Sequence, residues 1–262
     1  MKIADFFTWH SEGSKCRNVF TSNSVHLQPY SSEKYMVVLP TLDYSDLVML
    51  NKEGNEVSFD YELAPDYLNN KAVFISSIIY DDWDMVRLKM YGGDIIYYSN
   101  FFRVSEIDFD KTTYLKYRDN RWSYFGAMRV CMEHWHDFTM NEVQSYYQIT
   151  KEQTITVGSK RSTVSRFLVT NTDINVLNAI TDVFTYPIVY VNGYRGYVSE
   201  MPEVEKLQAN EIFKSMELNI FINKNDRNIE NIDLQVYALG NREANQLIGD
   251  GENEIINSNI NV

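Results

Sequence analysis

"IVYVNGYRGYVSE", residues 188–200, sets Asn192-Gly193 between two runs rich in Val and Tyr. Asn and Gly both tolerate the positive φ that a type I′ turn requires, so the stretch reads as a β-hairpin. "VRLKMYGGDIIYYS", residues 86–99, repeats the arrangement around Gly92-Gly93. There Val86, Leu88 and Met90 alternate with Arg87 and Lys89, the period of two of an antiparallel strand with one face buried and one wet. "LVMLNKEGNEVSF" supplies a third hairpin, with a longer loop at residues 51–55.

Working outward, "YMVVLP", "AVFISSII" and "NFFRVSE" read as further strands, and no helical periodicity interrupts them before about residue 106. The first part, residues 1–106, is therefore expected to be a β-sandwich-like domain of hairpins. "EIDFDKTTYLKYRDN" connects it to a second β-rich domain, residues 107–222, with strands at "YFGAMRVCMEHW", "SYYQIT", "SRFLVTN", the 188–198 hairpin and "ELNIFIN". A short helix is expected near 174–185. Asp173 is placed to cap it, Ile174, Leu177, Ile180, Val183 and Phe184 recur at steps of three and four, and Pro187 closes it off. A second short helix is expected after Pro202, with Glu203 and Glu205 in its first turn.

The fold class expected is thus mainly β: two β-sandwich-like domains, the second with one or two short helices, plus an extended C-terminal arm. The arm, residues 223–262, is rich in Asn and acidic residues, with Tyr237 its sole aromatic. It has too little apolar surface to order itself and is expected to order against a neighbouring subunit.

Composition narrows the function. A formal net charge of −12 on 262 residues repels phosphate, so specific nucleic-acid binding is not expected. The opening "MKIADFFTWHSEGSK" lacks the apolar core and cleavage site of a signal peptide, and no window is apolar enough to span a bilayer. Cys16 and Cys131 are far apart and are read as reduced thiols of a protein made in a cytosol. The 14% aromatic content, led by 19 Tyr, suits half-buried sheets and protein contacts, where the ring buries area and the hydroxyl stays wet.

The stretch with most chemistry is "CMEHWHDF", residues 131–138. Strand alternation puts His134 and His136 on one face with Met132, and Cys131 on the other with Glu133 and Trp135, so the sheet separates thiolate from imidazoles. No metal site is expected there. The acidic runs Asp81, Asp82, Asp84 and Asp108, Asp110 complete no calcium loop and read as turns. No G-x-S-x-G, dinucleotide or phosphate-loop pattern occurs, so no catalytic, cofactor-binding or metal residue is assigned and no enzyme is expected. A sugar-stacking role is the alternative, with Trp122, Tyr124, Trp135 or the Tyr194–Tyr197 hairpin tip as platforms.

The succession "VRLKMYGGDIIYYSNFFRVSE", "TTYLKYRDN", "YFGAMRVCMEHW", the helix and "IVYVNGYRGYVSEMPEVEKL" resembles minor virion proteins of tailed phages of Bacteroidetes, among them tail or neck ring proteins of crAss-like phages. The resemblance spans roughly residues 84–215 and is carried mostly by "YYSNFFRV" and "VNGYRGYV". It implies a non-enzymatic virion structural protein: a homo-oligomeric ring subunit around the DNA path of a tail or neck, made in the bacterial host cytoplasm and contacting other tail or neck proteins. The runner-up it allows is a carbohydrate-binding or host-adhesion module on a phage tail.

Overall fold

The computed structural model describes residues 4–13, 25–41, 45–64, 72–80, 84–105, 111–120, 124–148, 153–198, 200 and 213–227. The chain is mainly β, with two curled sheets consistent with β-sandwich-like domains. The helix expected after Pro202 lies outside the described residues, as does the expected arm from residue 228 onward.

The first sheet is built from β1 (Trp9–Ser11), β2 (His26–Leu27), β3 (Tyr35–Val38), β4 (Asp46–Asn51), β5 (Glu56–Leu63), β6 (Ala72–Ile79), β7 (Asp84–Gly92), β8 (Ile95–Ser99) and β9 (Phe102–Val104). Its order is β1-β8-β7-β4-β5-β6-β3, with β9 beside β7 and carrying β2. The β2–β9 pair is parallel and the other described pairs of the sheet are antiparallel.

Local chemistry explains the turns. Gly92 stays in the ladder opposite Ile95, so the loop is Gly93-Asp94, one residue on from the expected Gly92-Gly93. Asp is a better turn former than ladder residue, and Gly93 supplies the positive φ of 58°. In the loop between β4 and β5 the Asn51 carboxamide oxygen accepts from the Glu53 and Asn55 amides at 3.0 and 2.8 Å, closing an Asx turn.

The second sheet comprises β10 (Thr113–Arg118), β11 (Gly126–Val130), β12 (Glu133–Gln148), β13 (Gln153–Asp173), β14 (Ile188–Val191), β15 (Tyr194–Val198) and β16 (Phe213–Arg227), with α1 (Ile174–Val183) after β13. Its order is β11-β10-β14-β15-β16-β13-β12. The β14–β15 hairpin turns at Asn192 and Gly193, both at positive φ, as their residue types require.

"YFGAMRVCMEHW" is not one strand. Cys131 and Met132 interrupt it, and the Met132 amide donates to the Val130 carbonyl at 2.9 Å, a tight kink. The kink is needed because β11 and β12 occupy opposite edges of the same sheet. β12 then runs through the expected "SYYQ" strand to Gln148, and β13 starts well before "SRFLVTN".

Helix α1 begins where the Asp173 carboxylate accepts the Asn175 amide at 2.7 Å. It buries Val176, Leu177, Ala179, Ile180 and Val183, in contact with β13 and β16. Asp173→Ala is expected to cost about 1 kcal/mol, read as a lower urea midpoint, with Asp173→Asn near wild type.

One buried apolar cluster runs through both sheets, from Met36 and Val37 to Tyr117, Met128 and Val130. A Cβ on Gly126 would fall 2.6 Å from the Tyr117 ring and 2.9 Å from the Met36 methyl, so only glycine lets β3 and β10 close over β11. Val25 bridges to Val130, and Phe74 meets Tyr124 edge-on at 5.5 Å. Beside them the Arg129 guanidinium, on β11, lies against the Glu33 carboxylate just before β3, and both side chains are fully buried.

Candidate interaction face

The register of the second sheet decides which side chains share its outer side. Residues directly opposite one another in an antiparallel pair point the same way. Lys116 faces Tyr190, Tyr190 faces Arg195, Tyr197 faces Phe221, Phe221 faces Val164 and Val164 faces Phe138. The opposite parity, with Leu115, Val191, Ile220 and Phe167, belongs to the core cluster. Val164 and Phe221 are buried too but lie outside that cluster, on the outer side.

Cations and aromatic rings alternate across this side. Phe125, just before β11, takes the buried Lys116 ammonium at 5.0 Å and the Arg118 guanidinium at 4.8 Å. Its ring meets Tyr190 at 5.9 Å, and Arg195 lies 5.7 Å from the Tyr190 centroid while donating to the Pro187 carbonyl at 2.6 Å. Tyr197 stacks on Phe221 at 4.9 Å, nearly parallel at 8°. At the far edge Arg166 sits 5.8 Å from Trp135 and 5.5 Å from Phe138, and pairs with Glu217 at 3.0 Å. Each such contact contributes about 0.5–1 kcal/mol when exposed, so the pattern fixes side-chain positions more than it stabilises the fold. Trp135 is 58% exposed and Tyr197 49% exposed, large apolar surfaces on this side.

The "CMEHWHDF" stretch takes a different shape from the expected one. A bulge at Trp135 makes His134 and His136 oppose the consecutive residues Phe167 and Arg166, so the two imidazoles point to opposite sides. His134 packs edge-on against Phe167 at 5.2 Å, and its Nε2 lies 2.9 Å from Asp137. Ser165 donates to the same Asp137 oxygen at 2.6 Å. A nucleophile relay needs the imidazole between hydroxyl and carboxylate; here the carboxylate is in the middle, so Ser165 gains no base. His26, nearly buried, meets the Ser105 hydroxyl at 2.5 Å, a contact that ties the end of β9 to β2. Among the described residues no three His, Cys, Asp or Glu side chains converge on a point that could hold a metal ion.

Cys131 is half-buried, and burial pushes its thiol up, with Arg103 pulling the other way. Less thiolate at a given pH means slower alkylation, so peptide mapping after iodoacetamide should find Cys131 modified more slowly in the folded chain than in urea.

Of the sugar-stacking candidates, Trp135 and Tyr197 are exposed. Tyr124 packs on Phe74 and Tyr194 against the core cluster, and Trp122 lies outside the described residues. The run Asp108–Asp110 and residues Asp81 and Asp82 also lie outside them. The cations of the outer side escaped the sequence reading; the one available signal was Lys116 and Arg118 alternating with apolar Leu115 and Tyr117.

A second feature lies at the sheet's edge. β16 pairs with β13 only up to Val164↔Phe221, whereas β12 and β13 stay paired from Thr139↔Thr163 to Gln148↔Gln153. Among the described residues this is a two-stranded ribbon with no third strand, roughly 30 Å long at ~3.4 Å per residue.

No family model, curated protein or solved structure matches the chain. Among the described residues no helix is long and apolar enough to cross a membrane.

Proposed function

We propose that this chain is a non-enzymatic assembly protein whose work is to contact copies of itself and neighbouring proteins. The observation that carries the reading is the β12–β13 ribbon. A two-stranded ribbon is marginal in water, and this one is polar by sequence, "TMNEVQSYYQ" and "QTITVGSKRST", so it has little apolar surface with which to hold itself. Another subunit laid against it supplies the missing partner. The setting follows the phage resemblance: a subunit of a homo-oligomeric ring in a virion tail or neck, surrounding the DNA path and meeting other tail or neck proteins. Its net charge of −12 suits a wall past which DNA slides without sticking.

Electron microscopy of the purified full chain tests this. Closed rings of uniform size are expected; particles of single-subunit size throughout would overturn it. The exposed Trp135 and the flat Tyr197–Phe221 stack favour one second reading, sugar binding on a tail. Selective hits on a glycan array that vanish in Trp135→Ala would establish that reading instead.

A further inference from the structure

We propose that the outer side of the second sheet docks on the acidic β5 ledge of the next copy of this chain, a head-to-tail contact. This rests on the assembly reading above and names the two surfaces it would use. The first surface carries Arg118, Arg166 and Arg195 against Glu217 and, by register, Glu133, while Lys116 is buried. It is a cationic and aromatic face on a chain with a formal net charge of −12.

The complementary surface is in the first sheet. Glu53, Glu56, Asp60 and Glu62 are all exposed along β5 and its preceding loop. Lys52 lies in the same loop, and Lys34 pairs with Glu62 at 2.5 Å. Ile79 on β6, 55% exposed and opposite Ser58, shares the side of the sheet that carries Glu56, Asp60 and Glu62, whereas Tyr61 and Leu63 alternate to the other side with Phe59. An acidic ledge with Ile79 exposed among its carboxylates fits a basic face with exposed Trp and Tyr, since charge sets the register and the rings bury the area. The occupant is a second copy rather than a nucleic acid because the acid that matches these cations is present in the chain itself, and its overall charge repels phosphate.

Two different patches meeting make a heterologous contact, the kind that closes into a ring or grows into a filament according to the rotation between copies. At physiological salt the overall like charge of two copies is largely screened beyond a Debye length of about 8 Å, so the complementary patches act once they come within that distance.

The test uses two full-length variants and their mixture. Arg166→Glu with Arg195→Glu reverses the basic face, and Glu56→Lys with Asp60→Lys reverses the ledge. Circular dichroism confirms that each is folded, and light scattering reads association. Each variant alone is expected to associate on the order of a hundredfold more weakly than wild type, because like charges now face one another. Mixed one to one, the reversed face of one variant meets the reversed ledge of the other, and association returns. Variants that assemble as well as wild type, or a mixture that stays apart, would overturn the docking while leaving self-assembly intact. A wild-type chain that does not associate at all removes the assembly reading itself. Binding of single-stranded DNA at physiological salt that is lost with Arg166→Glu/Arg195→Glu would assign the face to nucleic acid and overturn the proposal.

Discussion

Arg129→Met is expected to lower folding stability by about 3–5 kcal/mol, the usual effect of removing one partner from a buried ion pair. The Arg129 guanidinium grips Glu33 through two nitrogens: Nε donates to Oε2 at 3.0 Å and Nη2 to Oε1. Its Nη1 donates to the Thr112 hydroxyl at 3.3 Å, and the Tyr35 hydroxyl donates to Glu33 Oε2 at 2.6 Å. Tyr114 lies under the guanidinium at 5.4 Å and donates to the Lys34 carbonyl at 2.7 Å. Burial pulls the Arg129 pKa down, but the Glu33 carboxylate more than offsets it, so the guanidinium is held charged. Removing Arg129 strands a carboxylate between the two sheets with a single phenol for company. Glu33→Gln/Arg129→Met removes both charges and should recover much of the loss, giving clear coupling in a double-mutant cycle of urea melts. Single variants each within 1 kcal/mol of wild type, on the order of an exposed pair, would show that this junction is not buried as described.

Stability is also expected to fall steeply above about pH 10, the pKa of a phenol in an unfolded chain. Burial raises Tyr35, Tyr114 and Tyr117 well above that value and pushes Tyr186 up to about 12. A folded-state pKa above the unfolded one means that the native state holds protons which the unfolded state has already released. The stability is fully present below pH ~10 and is lost as the pH climbs toward the native values. Each such phenol contributes a slope of about 1.4 kcal/mol per pH unit, so the four together reach about 5.5. Against a total of about 5–15 kcal/mol, unfolding should come near pH 11–12. Phenolate absorbance and far-ultraviolet circular dichroism should therefore share one late, cooperative step. Tyr117→Phe should soften it, with little loss at neutral pH because the Tyr117 hydroxyl has no hydrogen-bond partner among the described residues. Gradual ionisation of every tyrosine with native dichroism retained would contradict this.

Local rules carried much of the fold. Asn192-Gly193 and the Asp173 cap act within a few residues of themselves, so the sequence displays them directly. The Gly92–Asp94 turn slipped by one residue because two adjacent glycines satisfy either loop. The Trp135 bulge was illegible, since an extra residue in one strand leaves no mark on alternation until its partner strand is known. Glu33 and Arg129 are 96 positions apart, and nothing local marks them as partners. The cationic face was hidden for a related reason. It is assembled from β10, β14, β15, β16 and β13, whose spatial order differs from their order in the chain. Each strand shows its own alternation; only the sheet shows that the cations gather on one side.

Sedimentation equilibrium of the full-length protein across a wide range of concentrations tests the central claim most directly. A chain built for contact with its own copies should give a mass that is a multiple of 30.7 kDa and should dissociate only on dilution. A mass of 30.7 kDa at every concentration would contradict the account.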